Sequence, residues 1–168
     1  MHVVELLSKR HDREGFDCGS EALNLFLRQT ARQHADRGIS RTFVLTDEEG
    51  ERKTILGFFS LNLCQIKAES LASKESKNLP RDVAGVRLGR LAVSMHHQRK
   101  GLGRLLLVAA MQKFLEIHGA AGGIGLFVDA KDLDAKHYYE QFGFVPMPSN
   151  ELELFLPLKT IQEALENS

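Results

Sequence analysis

The chain opens with a short apolar run, after which apolar residues recur at helical spacing. Residues 2–7 read HVVELL, a short apolar run that predicts a strand, and a polar turn follows it. Beyond the turn, apolar residues spaced to lie on one face predict a helix from about Ser20 to about Asp36. The Ser20 hydroxyl can cap its start, and Gly38 ends it. The buried stripe of that helix is expected to be Leu23, Phe26, Leu27, Thr30 and Ala31.

Two strands are expected next, joined as a hairpin. Residues 41–46 (RTFVLT) and 54–66 (TILGFFSLNLCQI) have the composition of antiparallel strands, and the charged segment 47–53 predicts the turn between them. Residues 67–81 are polar and contain Pro80, which predicts a surface connection.

The second half of the chain predicts alternating strands and helices. Residues 86–93 form a strand that contains Gly89, and a glycine within a strand often marks a bulge or the close approach of a ligand. A long helix to about His118 follows a glycine-containing loop. The remaining expected elements are a strand at 126–128, a helix capped by Asp132 or Asp134, a closing strand at 151–158 and a short helix at 160–165.

The composition indicates a single globular domain over residues 1–168. A chain of 168 residues that is 43% hydrophobic can fill one core but is short for two. No apolar run approaches the roughly 20 residues of a membrane span, and no signal peptide is evident, so a cytoplasmic protein is expected. Cys18 and Cys64 have neither a disulfide pattern nor metal-ligand spacing, so no bound metal is expected.

The segment 90–108, RLAVSMHHQRKGLGRLLLV, carries the clearest chemical signal. It predicts a strand, a glycine loop and a helix start, where free amide N–H groups carry roughly half a positive charge and bind phosphate. Arg99, Lys100 and Arg104 add side-chain charge. The loop has neither the closing Gly-Lys-Ser/Thr of a Walker motif nor the three glycines of a Rossmann fingerprint. The alternative is an ordinary loop whose glycines only ease the turn.

Two stretches resemble the motifs of the GNAT N-acetyltransferase superfamily. Gln98, Gly101 and Gly103 match its Gln/Arg-x-x-Gly-x-Gly/Ala signature, and residues 135–144 (AKHYYEQFGF) match Ala-x-x-Phe-Tyr-x-x-x-Gly-Phe, in the expected order. The resemblance implies an α+β, three-layer GNAT fold, with a mixed, mostly antiparallel sheet, splayed central strands and helices on both faces. It also implies acetyl-CoA as the co-substrate.

The same resemblance assigns roles to individual residues. Backbone N–H groups at Leu91, Ala92 and Val93 would hold the acetyl carbonyl and the pantetheine arm. Tyr139 matches the tyrosine that protonates the coenzyme A sulfur, whereas Tyr138 stands at the phenylalanine position and is expected to pack. The other implied cofactor-binding residues are Gln98, Arg99, Lys100, Gly101, Leu102, Gly103, Arg104, Asp132, which stands where Asn is common, and Phe142.

Charge is unevenly distributed along the chain. Residues 1–113 contain 19 Lys and Arg against 13 Asp and Glu, and residues 114–168 contain 3 against 9, which gives +6 and −6. The basic part predicts a face suited to a polyanion, unless folding mixes the two parts into an even surface or the helix arginines are simply solvated. The arginines expected to contact that polyanion are Arg28, Arg32, Arg37, Arg41, Arg87 and Arg90.

The strand before the glycine loop has no carboxylate where many superfamily members carry one. Residues 86–93 read VRLGRLAV. At pH 7 an α-amine with a pKa of about 7.7 is roughly one-sixth neutral, whereas a lysine with a pKa of about 10.4 is neutral about once in 2,500. An α-amine acceptor can therefore dispense with a general base, although His96, His97 or His137 could also serve as one.

Within the superfamily, residues 16–24 (FDCGSEALN), 41–44 (RTFV) and 128–132 (VDAKD) resemble the acetyltransferase toxins of toxin–antitoxin pairs, the TacT-like group. This resemblance implies acetylation of the α-amine of aminoacyl-tRNA, inhibition of translation, neutralisation by a ribbon-helix-helix antitoxin and a homodimer. Two alternatives remain. One is a metabolic enzyme that acetylates a small amine, and the other is a binding module in which acetyl-CoA only stabilises an interaction surface.

Overall fold

The computed structural model describes residues 2–47 and 53–167. The chain divides into two compact units, one of Met1–Asn62 with Gly89–Ala110 and one of Leu63–Leu88 with Met111–Ser168. The strands are β1 (Val3–Leu6), β2 (His11–Asp12), β3 (Arg41–Thr46), β4 (Lys53–Thr54), β5 (Gly57–Lys67), β6 (Asp82–Val93), β7 (Gly125–Asp129), β8 (Val145–Met147) and β9 (Asn150–Pro157). The helices are α1 (Glu21–Leu25), α2 (Ala31–Asp36), α3 (Ser73–Ser76), α4 (Leu102–Ala121), α5 (Leu133–Glu140) and α6 (Leu158–Glu166).

Strands of the first unit pair in the antiparallel order β1-β3-β5. Leu6 of β1 lies opposite Phe43 of β3, and Arg41 of β3 lies opposite Leu61 of β5. The predicted antiparallel pairing of residues 41–46 with the strand that follows is therefore confirmed. The turn predicted between them falls largely on residues 48–52, outside the described residues.

A short parallel ladder in the first unit is not predicted by the sequence pattern. Strand β2 pairs with β4, with His11 opposite Lys53, and the single strand expected over 54–66 is interrupted before Gly57. The Glu5 carboxylate accepts hydrogen bonds from Lys53 Nζ and His11 Nε2, both at 2.9 Å, and these bonds hold the pKa of Glu5 below its ordinary value. A partly buried three-residue network thus joins two strands that are each only two residues long.

The predicted first helix is confirmed at both ends and differs in the middle. The Ser20 hydroxyl accepts from the backbone N–H of Leu23 at 3.4 Å, which caps α1. Helix α2 ends at Asp36, and Gly38 follows in the left-handed region at a φ of 72°. Between α1 and α2 the backbone forms a π-helical turn, Phe26–Thr30, which the spacing of apolar residues does not reveal.

Helix packing against the β-strands forms the core of the first unit. Aromatic rings dominate it, with Phe16 and Phe58 in edge contact at 5.5 Å and Phe26 stacked on Phe58 at 6.2 Å. The buried residues of this core are Phe16, Phe26, Leu27, Ala31, Val44, Ile55, Phe58 and Ala92. Most of the predicted helix stripe is therefore confirmed as core.

The second unit contains the mixed part of the sheet, in the order β6-β7-β9-β8. Strands β6 and β7 are parallel and pair at Val86↔Leu126 and Arg87↔Phe127, whereas β9 is antiparallel to both β7 and β8. The predicted mixed, mostly antiparallel sheet is confirmed. Strand β8 is an addition that the sequence pattern does not predict.

The predicted surface connection over 67–81 is partly anchored in the second unit. It contains a 3₁₀ turn, Ala68–Ser70, and the short α3, and Leu71 is buried against a core built around the stacked rings of Phe127 and Phe155, 4.7 Å apart. None of the helices in residues 2–47 and 53–167 has the length and apolar character required to cross a membrane.

Close backbone packing at Gly57 makes a first prediction. A Cβ at Gly57 would lie 2.8 Å from Leu106 Cδ1 and 2.9 Å from the Ala92 carbonyl oxygen, which belongs to β6. Gly57→Ala is expected to lower the free energy of unfolding by about 1–3 kcal/mol in urea titrations, because the backbone oxygen cannot move aside freely. Gly119→Ala in α4 is the matched control, since its Cβ meets nothing within 4 Å; it should stabilise by roughly 0.4–1 kcal/mol. Equal effects of the two changes would contradict this packing argument.

Candidate active site

The first unit brings the end of β6 directly to the glycine loop. Leu91–Val93 close β6, with Ala92 buried, and a 3₁₀ turn at Met95–His97 leads to the loop at 98–101. The 20-residue helix α4 begins at Leu102. The predicted sequence of strand, loop and helix is therefore confirmed.

Backbone hydrogen bonds fix the start of this loop. The N–H of Ser94 donates to the Leu56 carbonyl at 2.8 Å, and the N–H of Met95 donates to the Asp17 carbonyl at 2.8 Å. The Gln98 side chain donates from Nε2 to the Val93 carbonyl at 3.1 Å and to the Cys18 carbonyl at 3.4 Å. Gln98, which the resemblance assigns to the cofactor, thus holds the loop against the segment at 17–18.

The segment at 17–18 is held in turn by Asn24, a residue that the sequence analysis did not select. Asn24 is buried in α1; its Oδ1 accepts from the Cys18 N–H at 3.0 Å and from the Cys18 thiol at 3.2 Å, and its Nδ2 donates to Asp17 at 3.0 Å. The Gly19 N–H also donates to Asp17 at 2.9 Å, and these bonds lower the pKa of the Asp17 carboxyl, that from Gly19 most. The sequence signals this role only by placing a polar residue at a position on the buried side of the helix.

The loop itself has a conformation that suits an anion. Arg99 and Gly101 both have positive φ angles, 64° and 78°, and a Cβ at Gly101 would meet nothing within 4 Å. Leu102 is buried and anchors the first turn of α4, whereas Arg99 and Lys100 are exposed. Open space beside glycine, exposed cations and free amides at a long helix start together fit a pyrophosphate.

The second unit holds the predicted acid. Tyr139 lies on α5, and its ring meets Phe144 edge-on at 5.4 Å and Tyr138 at 5.5 Å. Burial, with a smaller contribution from Tyr138, raises the pKa of Tyr139 to about 12. The hydroxyl therefore keeps its proton throughout the neutral range and has that proton to donate.

Two other predicted residues of this unit, Asp132 and Phe142, lie near Tyr139 in the sequence, at the two ends of α5. Asp132 is confirmed as the cap of α5, because its Oδ1 accepts from the Ala135 N–H at 2.8 Å. The ring of Phe142 packs edge-on against Tyr138 at 5.2 Å. Tyr138 thus sits between two aromatic rings, as expected for a packing residue.

Three of the six predicted arginines have partners within the protein. Arg28 donates to the Phe16 carbonyl at 3.2 Å and lies 3.8 Å from Glu21. Arg87 is bound by two carboxylates, Asp129 at 3.1 Å and Glu153 at 3.2 Å. Arg90 lies 3.7 Å over the Phe26 ring, and burial lowers its pKa.

The other three predicted arginines differ in their exposure and their surroundings. Arg37 and Arg41 are exposed and Arg32 is half-buried. Arg32 and Arg41 line one small cavity with Thr42, which is buried. The prediction of a polyanion-binding face therefore depends most on this group.

The histidines offered as alternative bases lie in different settings. His96 is exposed, and His97 is half-buried with an Nδ1 atom that has no hydrogen-bond partner among the described residues. His137 is exposed on α5. Within the described ranges, the structure holds no cluster of His, Cys, Asp and Glu suited to a metal ion, and Cys18 and Cys64 are free thiols.

Comparison with known proteins gives one family and several full-length relatives. The model of the Acetyltransferase (GNAT) family matches residues 5–144. A "Probable toxin TacT" of Sinorhizobium fredii (strain NBRC 101917 / NGR234) is 27% identical, with 97% of this chain and 94% of that protein aligned. A "tRNA-acetylating toxin" of Mycobacterium tuberculosis (strain ATCC 25618 / H37Rv) is 29% identical, with 91% of this chain and 90% of that protein aligned.

Solved structures that are similar to this chain over nearly its whole length include complexes of the AtaT toxin. The structure described as AtaT complexed with acetyl-methionyl-tRNAfMet has a TM-score of 0.90 and 32% identity, covering 98% of this chain and 99% of that chain. A mutant AtaT toxin bound to the C-terminus of the antitoxin AtaR and acetyl-CoA has a TM-score of 0.81 and 31% identity, covering 98% of both chains.

The loop geometry generates a second prediction. Gly103→Asp places a carboxylate in the first turn of α4, where it suits the helix dipole but repels a phosphate. The variant is expected to stay folded and to lose at least about tenfold in acetyl-CoA affinity by calorimetry, a loss of roughly 1.4 kcal/mol. Gly119→Asp adds the same side chain to an exposed position of the same helix and should bind as the parent does. Unchanged affinity in a folded Gly103→Asp protein would refute the loop assignment.

Proposed function

The chain belongs to the GNAT acetyltransferase family, and we propose that it is a toxin that acetylates the α-amine of aminoacyl-tRNA and so blocks translation. The observation that carries this proposal is the near full-length similarity to proteins described as tRNA-acetylating toxin and as AtaT complexed with acetyl-methionyl-tRNAfMet. The alternative of a binding module is disfavoured, because the family consists of acetyltransferases.

Residues of the first unit hold the co-substrate, which supplies an acetyl thioester when bound. Amides at Gly101, Leu102 and Gly103 and the charges of Arg99, Lys100 and Arg104 bind its pyrophosphate. Backbone N–H groups of Leu91–Val93 bind the acetyl carbonyl and stabilise negative charge as it develops there. Gln98 contributes by keeping the loop in place, since its amide bonds to Val93 and Cys18.

Tyr139 supplies the acid in this proposal. Departure of a thiolate is easier when a proton reaches the sulfur, and a phenol that stays protonated in the working pH range is a suitable donor. The pKa of about 12 keeps the Tyr139 hydroxyl protonated across the neutral range. Asp132 and Phe142 act indirectly, by holding α5 and the neighbouring Tyr138.

The acceptor needs little help from the enzyme. The one carboxylate of β6 is that of Asp82, at the start of the strand, and it is bound by Lys67 at 3.0 Å. An α-amine of pKa about 7.7 is roughly one-sixth neutral at pH 7, so removal of its first proton by water suffices. His96, His97 and His137 are the alternatives if a base is used.

The proposal extends to partners. A cognate antitoxin of the ribbon-helix-helix class neutralises the toxin, the active protein is a homodimer, and both act in the cytoplasm, where charged tRNA is found. Support for the antitoxin comes from the solved AtaT–AtaR complex.

The deciding experiment incubates the purified protein with acetyl-CoA and total charged tRNA, followed by mass analysis of the released aminoacyl-adenosines. Acetylated aminoacyl-adenosine is the expected product. Uncharged tRNA and a panel of small amines are the controls. Acetylation of small amines alone would leave a metabolic acetyltransferase as the better account.

Substitution of Tyr139 makes the third prediction. Tyr139→Phe removes only the hydroxyl and keeps the ring contact with Phe144, so turnover should fall about 10²-fold or more while acetyl-CoA still binds. Tyr138→Phe is the matched control and should keep near-normal turnover. Single-turnover acetyl transfer and calorimetry measure the two quantities. If Tyr138→Phe is inactive and Tyr139→Phe is not, the acid is Tyr138 and the assignment of Tyr139 is wrong.

The raised pKa of Tyr139 makes the fourth prediction, for pH dependence. The rate should rise about tenfold per pH unit below the amine pKa of about 7.7 and then level off, because in this proposal loss of the amine proton is the ionisation that controls the rate in that range. Since Tyr139 loses its proton only near its pKa of about 12, no decline is expected up to pH 9.5. Initial rates over pH 6–9.5, corrected for tRNA deacylation, test this. A descending limb near pH 8–9 would show that the acid titrates there.

A further inference from the structure

One buried amide of the first unit is bonded at both ends and is not among the predicted cofactor-binding residues. The Asn24 side chain lies on α1 and the residue is 3% exposed. Its Oδ1 accepts from the Cys18 N–H at 3.0 Å and from the Cys18 thiol at 3.2 Å, and its Nδ2 donates to Asp17 Oδ1 at 3.0 Å. A neutral amide fills both roles at once, whereas an ionised carboxylate can only accept.

The segment bound by this amide is the one against which the glycine loop is held. The Asp17 carbonyl accepts from the Met95 N–H at 2.8 Å, and the Cys18 carbonyl accepts from Gln98 Nε2 at 3.4 Å. The two backbone carbonyls of the segment thus meet both the 3₁₀ turn and the loop that follows it. A shift of the segment would therefore be transmitted to both.

The side chain of Asn24 makes these contacts outside its own helix. The cap of α1 is the Ser20 hydroxyl, which accepts from the Leu23 N–H at 3.4 Å. The backbone N–H of Asn24 donates to the Ser20 carbonyl at 2.9 Å, as an ordinary helical residue does. The cap and the amide can therefore be removed separately, which separates the stability of the helix from the position of the loop.

The charges around this amide penalise an ionised group in its place. The Asp17 carboxylate accepts from the Gly19 N–H and from Asn24 Nδ2, and these bonds, that from Gly19 first, lower the pKa of Asp17. The nearby positive groups of Arg28 and His96 act in the same direction. A second carboxylate at the Nδ2 position would have to share a proton with Asp17, because two like charges at hydrogen-bond distance do not both ionise.

We propose that Asn24 is a positioning residue for acetyl-CoA, which acts through the segment at 17–18 on the glycine loop that binds the pyrophosphate. This inference rests on the part of the proposed function that places the pyrophosphate at this loop, and it is independent of the acceptor. The amide must be neutral, because loss of its donor or of its acceptor releases one of the two carbonyls against which the loop is held. Since its side chain is buried, Asn24 acts without contacting the co-substrate.

Asn24→Ala tests the positioning role. Calorimetry should show acetyl-CoA binding at least about tenfold weaker, and the KM for acetyl-CoA should rise by a similar factor while kcat stays within about threefold of the parent value, because the acid Tyr139 is unchanged. Ser20→Ala is the matched control, since it removes the cap of the same helix; it should lower Tm and leave acetyl-CoA affinity unchanged. Equal losses of affinity in the two variants would make Asn24 a stabiliser of the fold only and overturn the proposal.

Asn24→Asp gives a pH readout that a structural role alone would not produce. The introduced carboxyl can donate to Asp17 only while it is protonated, and sharing that proton raises its pKa above the ordinary value of about 3.9. Affinity for acetyl-CoA should therefore be restored below the raised pKa and lost as the pH rises through it. The measurement is the ratio of variant to parent affinity from pH 8 down to pH 5, with Tm recorded at each pH so that only folded protein is compared. We expect the ratio to rise at least about threefold; a constant ratio would overturn the requirement for a neutral amide.

The same calorimetry separates this inference from the loop assignment on which it rests. Gly103→Asp is measured beside Asn24→Ala. If both variants bind acetyl-CoA as the parent does, the loop assignment itself fails and the positioning role fails with it. If only Gly103→Asp weakens binding, the loop assignment stands and the role of Asn24 alone is overturned. Neither result depends on the acceptor, so a failure to acetylate charged tRNA would overturn the proposed acceptor and leave the positioning role intact.

Discussion

The position of the glycine loop depends on one buried amide, that of Asn24. Its two ends hold Asp17 and Cys18, whose carbonyls accept from Met95 and Gln98 at the start of the loop. A neutral amide suits this place, because it can donate and accept at once without the cost of burying a charge. The first helix of the protein therefore holds a loop more than seventy residues further along, which includes the amides proposed to bind phosphate.

Local interactions were predictable from the sequence, and long-range ones were not. Ser20 and Asp132 each accept a hydrogen bond from an amide three residues later, so the caps of two helices could be predicted from the sequence. The link between Glu5 and Lys53 spans 48 positions, and no periodicity encodes it. The β2–β4 ladder was missed for this reason, and the π-helical turn was missed because its apolar residues still follow helical spacing.

The arginines show the same limit for the candidate site. A sequence gives the number of positive charges but not their partners, and charge available to a ligand depends on partners. Arg87 lies between two carboxylates, so it contributes less to an external field than its formal charge suggests, and Arg90 is held over the Phe26 ring. Arg32 and Arg41 have no carboxylate partner within residues 2–47 and 53–167. Sequence motifs could identify the glycine loop and Tyr139, whereas the selection among arginines required coordinates.

In the proposed reaction the protein supplies the acid, and the acceptor amine requires no base from the protein. Burial raises the pKa of Tyr139, because a phenolate loses more hydration than a phenol when water is removed. A lysine acceptor has a pKa of about 10.4 and would have to lose a proton before it could attack. An acceptor whose amine is already partly neutral at pH 7 avoids this barrier. In the proposed function, a protonated Tyr139 and the lack of a carboxylate in residues 86–93 therefore favour weakly basic amines as acceptors.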